Sequence, residues 1–312
     1  MRRRDIIFAK IFELMIMTLG KIFRRTLTAL LIVAGLLTAA VVDAAVKLYT
    51  ATGEDYPSEV ESQDIAKQRA LDKAIKKAVK EAGVYLKTYS RTLNSELTDD
   101  EITAITSNAW QLVGEPIYNR TFKQISDETT IIIWTAKVEV NIDDAVIQSW
   151  LNRDEIDKST IISQTRAAQL VSDENERTIV NLREQYNRAT SQAEKERICK
   201  LLNDTDRDFL ANQKLEEGLR HYYADDYAGA IKLYNEAIEL KPNYTEAYVR
   251  IGHVYFFLKN LEQAFLYANK AIDIEPTNSE CYIFRAALYR EIDDWENYVA
   301  DVLKAKELGF KF

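Results

Sequence analysis

A period of 34 residues runs through the last third of this chain and limits what that part can fold into. Gly218 and Gly252 stand 34 apart, and the small residue Ala286 follows 34 further on. Pro242 and Pro276 keep the spacing, as do Ala237, Ala271 and Ala305. So do Asp226, Asn260 and Asp294, each followed by a large apolar residue, Tyr227, Leu261 or Trp295. Small residues at set places in a unit of this length predict a helix–turn–helix pair used three times, over 211–244, 245–278 and 279–312. Stacked helix pairs offer surface for binding and bring no chemistry of their own.

The full chain has 312 residues, enough for about one further domain before the repeats. Its net charge is −8, unevenly placed. Residues 1–44 carry Arg2, Arg3, Arg4, Lys10, Lys21, Arg24 and Arg25 against Asp5, Glu13 and Asp43, a net +4, which leaves −12 for the rest. An acidic body of this kind does not suit nucleic-acid binding, where phosphates need clustered Lys and Arg. Within 1–44, Lys21, Arg24 and Arg25 precede the apolar run Leu27 to Val42, and small residues follow it at Ala44 and Ala45. That order predicts a secretory signal peptide cleaved after Ala44, with Val42 and Ala44 at the recognised positions. The run is short for a spanning helix, which needs about 20 residues, so cleavage is favoured over a single N-terminal anchor. The leader is long, and a start at Met17 would give a more ordinary one. Both readings put the body outside the cytoplasm, periplasmic or otherwise held at the cell envelope, with no membrane contact once the leader is removed.

Residues 45–152 read as a small α+β domain. Val46 to Gly53 alternates like a strand that ends at the glycine. Ala70, Leu71, Ala74, Ile75, Ala78, Val79 and Ala82 then share one side of a helix, with Lys73, Lys76, Lys77 and Lys80 on the solvent side and Gly83 as its end. Thr98-Asp99-Asp100-Glu101 is a capping box opening a second helix. Two β-rich runs follow, Ala109–Lys123 and Thr129–Ile142, and a short helix covers Asp143 to Leu151. Strand, helix, helix, strand, strand predicts helices on one face of an antiparallel sheet. The domain has no histidine or cysteine, and its carboxylates Asp99, Asp100, Glu101, Asp143 and Asp144 sit where helix starts favour negative charge. The string Ala82-Gly83-Val84-Tyr85-Leu86-Lys87-Thr88-Tyr89-Ser90, with Leu97 to Ile102 after it and the alanines at 66, 70, 74, 78 and 82 before it, resembles the N-terminal domain of flagellar assembly protein T. The resemblance covers about a third of the chain and implies the fold and an extracytoplasmic setting.

Residues 153–210 contain no glycine or proline and many charges, and read as a helical connector. Ile179, Leu182, Tyr186, Ala189 and Ala193 form a narrow apolar seam, and the charged flank reads as a solvated face. Packing on the first repeat as an N-terminal cap is the role this suggests. Cys199 in the connector and Cys281 in the last repeat are read as two unpaired small hydrophobes.

In the middle unit, Tyr248, Ile251, Gly252, Tyr255, Ala264, Ala268, Ala271 and Pro276 all fall where tetratricopeptide repeats carry their signature. The first unit matches at Gly218, Ala230, Tyr234, Ala237 and Pro242, and the third at Tyr282, Ala286, Tyr289 and Ala305. The three units therefore resemble a tetratricopeptide-type α-solenoid, in which small residues let the paired helices cross closely. The resemblance implies a concave groove lined by the first helix of each unit. Its positions here are Leu215, Leu219, Tyr222 and Tyr223; Val249, His253, Phe256 and Phe257; and Ile283, Ala287, Arg290 and Glu291. This is an aromatic trough of the kind that takes an extended or helical peptide; the alternative is that some of these residues are buried by the connector or by a second copy. Leu215 and Leu219 stand where some family members place the Lys and Asn that clamp a terminal carboxylate, which argues against that mode.

No catalytic residue, cofactor or metal site is expected. His221 and His253 are the only histidines, and no further ligand or nucleophile is spaced to join them. The leading expectation is a non-enzymatic adaptor that binds a protein or peptide partner in the envelope. The alternatives are an assembly component that forms homo-oligomers through the α+β domain, and an enzyme whose site is unrecognised.

Overall fold

The computed structural model describes residues 48–58, 60–92, 97–124, 130–142, 144–153 and 155–311. The expected leader, 1–44, and Asp143 lie outside the described residues. The α+β part is built around β4 (Thr130–Ile142), because its alternating Ala136, Val138 and Val140 bury one face. On one side β1 (Leu48–Asp55) runs antiparallel to β4, with Tyr49 opposite Val140 and Asp55 opposite Trp134. On the other side lie β2 (Trp110–Leu112) and β3 (Ile117–Gln124), Leu112 opposite Val140 and Ile117 opposite Lys137. The first β-rich run is therefore two strands and not one. Val113–Pro116 bulges between them, with Gly114 at φ 75° and a proline that cannot donate to a ladder.

Helix α1 (Gln63–Thr92) lies on this sheet by its alanine stripe, and Ala66, Ala70, Ala74, Ala78 and Ala82 are all fully buried. Two glycines expected to end elements lie inside them. A side chain at Gly53, within β1, would come within 2.3 Å of the Ala70 carbonyl oxygen and 2.4 Å of the Ala74 nitrogen. The glycine is there because the helix backbone presses on the strand. Gly83 sits within α1 where a Cβ would meet the Ile102 side chain at 3.3 Å, so it admits α2 (Asp99–Ala109). The capping box forms as expected: the Glu101 N–H donates to Thr98 Oγ1 (3.2 Å) and the Thr98 N–H to Glu101 Oε2 (2.8 Å). A short helix, α3 (Asp144–Leu151), buries Ile147 and Trp150 against Leu86, Ile102 and Ile105.

Helices α4 (Glu155–Arg188) and α5 (Gln192–Tyr223) form the connector hairpin, closed by Ile179, Leu182, Ile198 and Leu202 with Tyr186 and Ala189. Helix α5 crosses 210–211 without a break, so connector and first repeat share one helix. The charged flank of α4 is not simply solvated. Arg183 Nε donates to Glu61 Oε2 (2.8 Å) and its Nη2 to Asp55 Oδ2 (3.2 Å), both buried carboxylates. Arg69 of α1 donates to Glu61 (2.6 Å), to Asp55 (3.4 Å) and to Asp206 of α5. Lys73 Nζ reaches Asp55 (2.9 Å), and Lys76 Nζ reaches Ser172 Oγ (2.7 Å). The lysines read as a solvent face thus include two that α4 covers. Burial alone would raise the Glu61 carboxyl, but the Arg183 hydrogen bond and the Arg69 charge hold it down at about 2.

The remaining helices are α6 (Tyr227–Leu240), α7 (Thr245–Phe257), α8 (Leu261–Ile274), α9 (Ser279–Glu291) and α10 (Trp295–Glu307). The periodic Asp226, Asn260 and Asp294 are N-caps, accepting from the N–H groups of Gly229 (3.0 Å), Gln263 (3.2 Å) and Asn297 (3.2 Å). The residue before each, Asp225, Lys259 or Asp293, takes a left-handed φ of 57–60° that reverses the chain. The periodic prolines accept hydrogen bonds at their carbonyls, Pro242 from Tyr248 and Pro276 from Tyr282, each at 3.0 Å.

Candidate partner-binding groove

The small residues of the repeats act between neighbouring helices, not only within a pair. A Cβ on Gly218 would fall 2.5 Å from the Tyr234 ring of its own repeat. On Gly252 it would fall 2.6 Å from the Phe284 ring of the next repeat, so this glycine sets repeat-to-repeat spacing. Ala264, Ala268 and Ala271 close the core between α7 and α9 with Val249, Cys281, Tyr282 and Phe284. Both cysteines are free, and burial pushes the Cys281 thiol up to about 12, far from a reactive thiolate.

Three of the expected groove residues are core. Leu215 is buried with Ala230, Tyr234 and Ile251, and Val249 is buried between the second and third repeats. Leu219 is buried and faces inward beside Arg220. The reason is that the next repeat closes on the first helices while α1, α2 and α4 close on α5 from the other side. Tyr223 is also engaged within the chain: its hydroxyl donates to Gln164 Oε1 of α4, and the Arg153 guanidinium stands 5.9 Å from its ring.

What stays accessible is an aromatic patch on α5, α6 and α7. Tyr222 meets Phe257 edge-on with ring centroids 5.7 Å apart, and Tyr227 stacks on Phe257 at 6.4 Å. Phe257 remains 57% exposed. Phe256 is half-buried under Lys259, whose Nζ lies 5.4 Å from the ring and pairs with Glu291 at 2.9 Å. His253 stacks on Phe284 at 4.2 Å, and burial, with the Arg250 charge nearby, lowers its pKa to about 3, so the imidazole stays neutral. Ile283 and Ala287 are half-buried, and Arg290 and Glu291 are exposed on α9. His221 is far from this set in role, bonded through Nδ1 to the capping Asp226 (2.7 Å).

Sequence reasoning missed a cavity of about 1080 Å³ between α1, α2, α4 and α5. Leu71, Ile75, Val79 and Ile102 line it with Trp110, over which the Arg220 guanidinium sits at 4.1 Å. Glu216 accepts from Asn212 (2.8 Å) there, and burial, reinforced by Asp72, raises its carboxyl to about 7. The walls come from segments more than a hundred residues apart, so no local pattern announces them. Among the described residues no group of three or more His, Cys, Asp or Glu could hold a metal ion.

A family model described as TPR repeat matches residues 218–258, and one described as tetratricopeptide repeat matches 245–278, the middle unit. The C-terminal part of the chain carries tetratricopeptide repeats. The first two tetratricopeptide pairs share the glycine, the N-cap and the proline carbonyl at the same register. The third keeps the N-cap Asp294 but has Ala286 in place of the glycine and Phe310 in place of the proline. Solved structures similar to the chain include the Arabidopsis OM64 TPR domain (23% identity over 32% of this chain and 83% of that one, TM-score 0.31). Others are the TPR2B domain of yeast Sti1 in complex with pHsp70 (22%, 31% and 78%, 0.30) and MamA (20%, 46% and 85%, 0.30). No curated protein matches the chain. None of the helices among the described residues is long and apolar enough to cross a membrane.

Proposed function

We propose that this chain is a non-enzymatic adaptor of the cell envelope that binds a protein or peptide partner through the accessible part of its tetratricopeptide groove. The observation that carries the reading is the Tyr222–Tyr227–Phe257 cluster, which keeps Phe257 half in solvent on the face where first helices of the repeats lie. Large rigid aromatics held in place by each other lose little entropy when an apolar side chain covers them, which is what a binding anchor requires. Phe256, Ile283 and the exposed Arg290 extend the surface, so the expected partner segment is apolar with an acidic flank. Export rests on the basic and apolar leader pattern of 1–44 and on the resemblance of the α+β part to flagellar assembly protein T.

Co-purification from envelope extract with the intact chain and with Tyr222→Ala/Phe257→Ala tests the groove. Loss of the enriched proteins, with helix content unchanged, is the expected result; an unchanged set sinks the reading. Fusing residues 1–44 to a reporter active only outside the cytoplasm tests export separately. A second reading, assembly through the α+β part, is favoured by β3, an edge strand among the described residues whose Ile117 and Phe122 are exposed.

A further inference from the structure

The outer face of α10 differs from the same face of the inner repeats. Trp295, Val299 and Leu303 lie four residues apart on one stripe and are 56%, 50% and 57% exposed. Their counterparts are Tyr227, Ile231 and Asn235 in α6, and Leu261, Phe265 and Asn269 in α8. The first two of each inner set are half-buried, and the following first helix covers one of each pair: Tyr227 stacks on Phe257, and Phe265 packs on Tyr289 with ring centroids 5.0 Å apart. The third is an exposed asparagine in both inner repeats, and Asn269 accepts from Arg285 of the next repeat at 2.8 Å. Helix α10 therefore does not merely leave an inner-type face uncovered. It replaces the asparagine with Leu303 and makes the stripe continuous, which a surface kept in water has no use for.

We propose that α10 is a self-association surface on which a second copy of this chain docks antiparallel, about a two-fold axis at Val299. The stripe is self-complementary: Trp295 and Leu303 lie at equal steps on either side of Val299. An antiparallel copy therefore sets Trp295 against Leu303 twice and Val299 against itself, as an isologous contact demands. The charges agree. Asp293, Asp294 and Glu296 gather at the start of α10, and Lys304, Lys306 and Lys311 at its end, with Glu307 already paired to Lys304 at 3.1 Å. Antiparallel docking sets the acidic start beside the basic end of the partner copy and opposes the two helix dipoles, whereas parallel docking would align like charges. This surface is separate from the groove, so a copy docked here leaves Phe257 free for a partner.

Light scattering of the purified chain tests the proposal, with a particle of twice the single-chain mass expected. Leu303→Asn, which restores the residue of the inner repeats, removes two buried leucines per pair and raises the dimer Kd by about a hundredfold. Lys306→Glu places like charges together and raises it by about tenfold. A chain carrying Cys199→Ser and Val299→Cys cross-links to itself under mild oxidation, because the axis brings the two sulfurs together. A particle at single-chain mass, a dimer indifferent to Leu303→Asn, or a Val299→Cys chain that does not cross-link while dimeric each overturns it; circular dichroism of every variant confirms that helix content is retained.

Discussion

The repeats and the α+β half bring helices together by the same small residues but are held by different forces. In the repeats, each helix packs on its neighbour in sequence and most of each joint is apolar: Gly218 on Tyr234, Gly252 on Phe284, Ala264 and Ala268 between α7 and α9. Arg285 adds a pair to Asp301 of α10 (2.8 Å). In the α+β half, alanines again let α1 sit on its sheet, but the connector is fixed to it by Arg69 and Arg183 against Asp55, Glu61 and Asp206. Beside that network lies a cavity of about 1080 Å³. A local period can specify tight joints between consecutive helices. Segments far apart in sequence need directional contacts to find one register, and here ion pairs supply them.

Removing one side of the network should have the largest effect. Arg69→Met leaves Glu61, Asp55 and Asp206 short of a partner and should cost about 3–5 kcal/mol in denaturant unfolding. The comparison predicts that amide exchange speeds up in β1, α1 and α4 first while α7 to α9 stay protected; equal loss throughout would break it. Gly53→Ala comes next, at about 3 kcal/mol, because the atoms its methyl meets at 2.3 and 2.4 Å belong to the α1 backbone and have no rotamer to escape through. Ala264→Phe overpacks the joint between α7 and α9 and should cost about 1–3 kcal/mol, read as a lower Tm of the repeats.

Two pH effects sharpen the contrast, one in the α+β half at Glu61 and one on α5 at Glu216, where the cavity meets the first repeat. The Glu61 carboxyl is held at about 2 against an ordinary 4.5, so its stabilisation is full above pH 4.5 and is lost as pH falls towards 2. Acid titration followed by exchange should therefore release β1 and α1 before α7 to α9. Glu216 has the opposite sign. Its carboxyl is raised to about 7, so the folded state holds the extra proton between pH 4.5 and 7, and stability falls as pH rises through that window. Glu216→Gln keeps the Asn212 contact and should raise Tm slightly at pH 8 and not at pH 4; a gain equal at both would show that Glu216 is not protonated on folding.

The difference between the halves also decides what could be read in advance. The capping box at Thr98 and Glu101, the alanine stripe of α1 and the periodic Asp226, Asn260 and Asp294 were legible because each acts within a turn or two of backbone. Gly53 and Gly83 are expected to end elements and instead lie inside them, since a glycine needed for a close approach looks in sequence like one needed for a turn. Of the groove, Tyr222, Phe256 and Phe257 are accessible, whereas Leu215, Leu219 and Val249 are core. Helical spacing says that residues share a face and is silent on how many neighbours press on it. The cavity left no trace, because Ile75, Trp110 and Arg220 are brought together only by packing.

By itself the sequence determined three tetratricopeptide-like helix pairs, their caps and an α+β fold before them, because backbone hydrogen bonding and side-chain periodicity are set over a few residues. The tertiary structure alone decided that α5 serves connector and first repeat together, that Arg69 and Arg183 are buried, and that α10 presents Trp295, Val299 and Leu303 to solvent. Those outcomes depend on which faces other segments cover, and burial is a property of the packed whole.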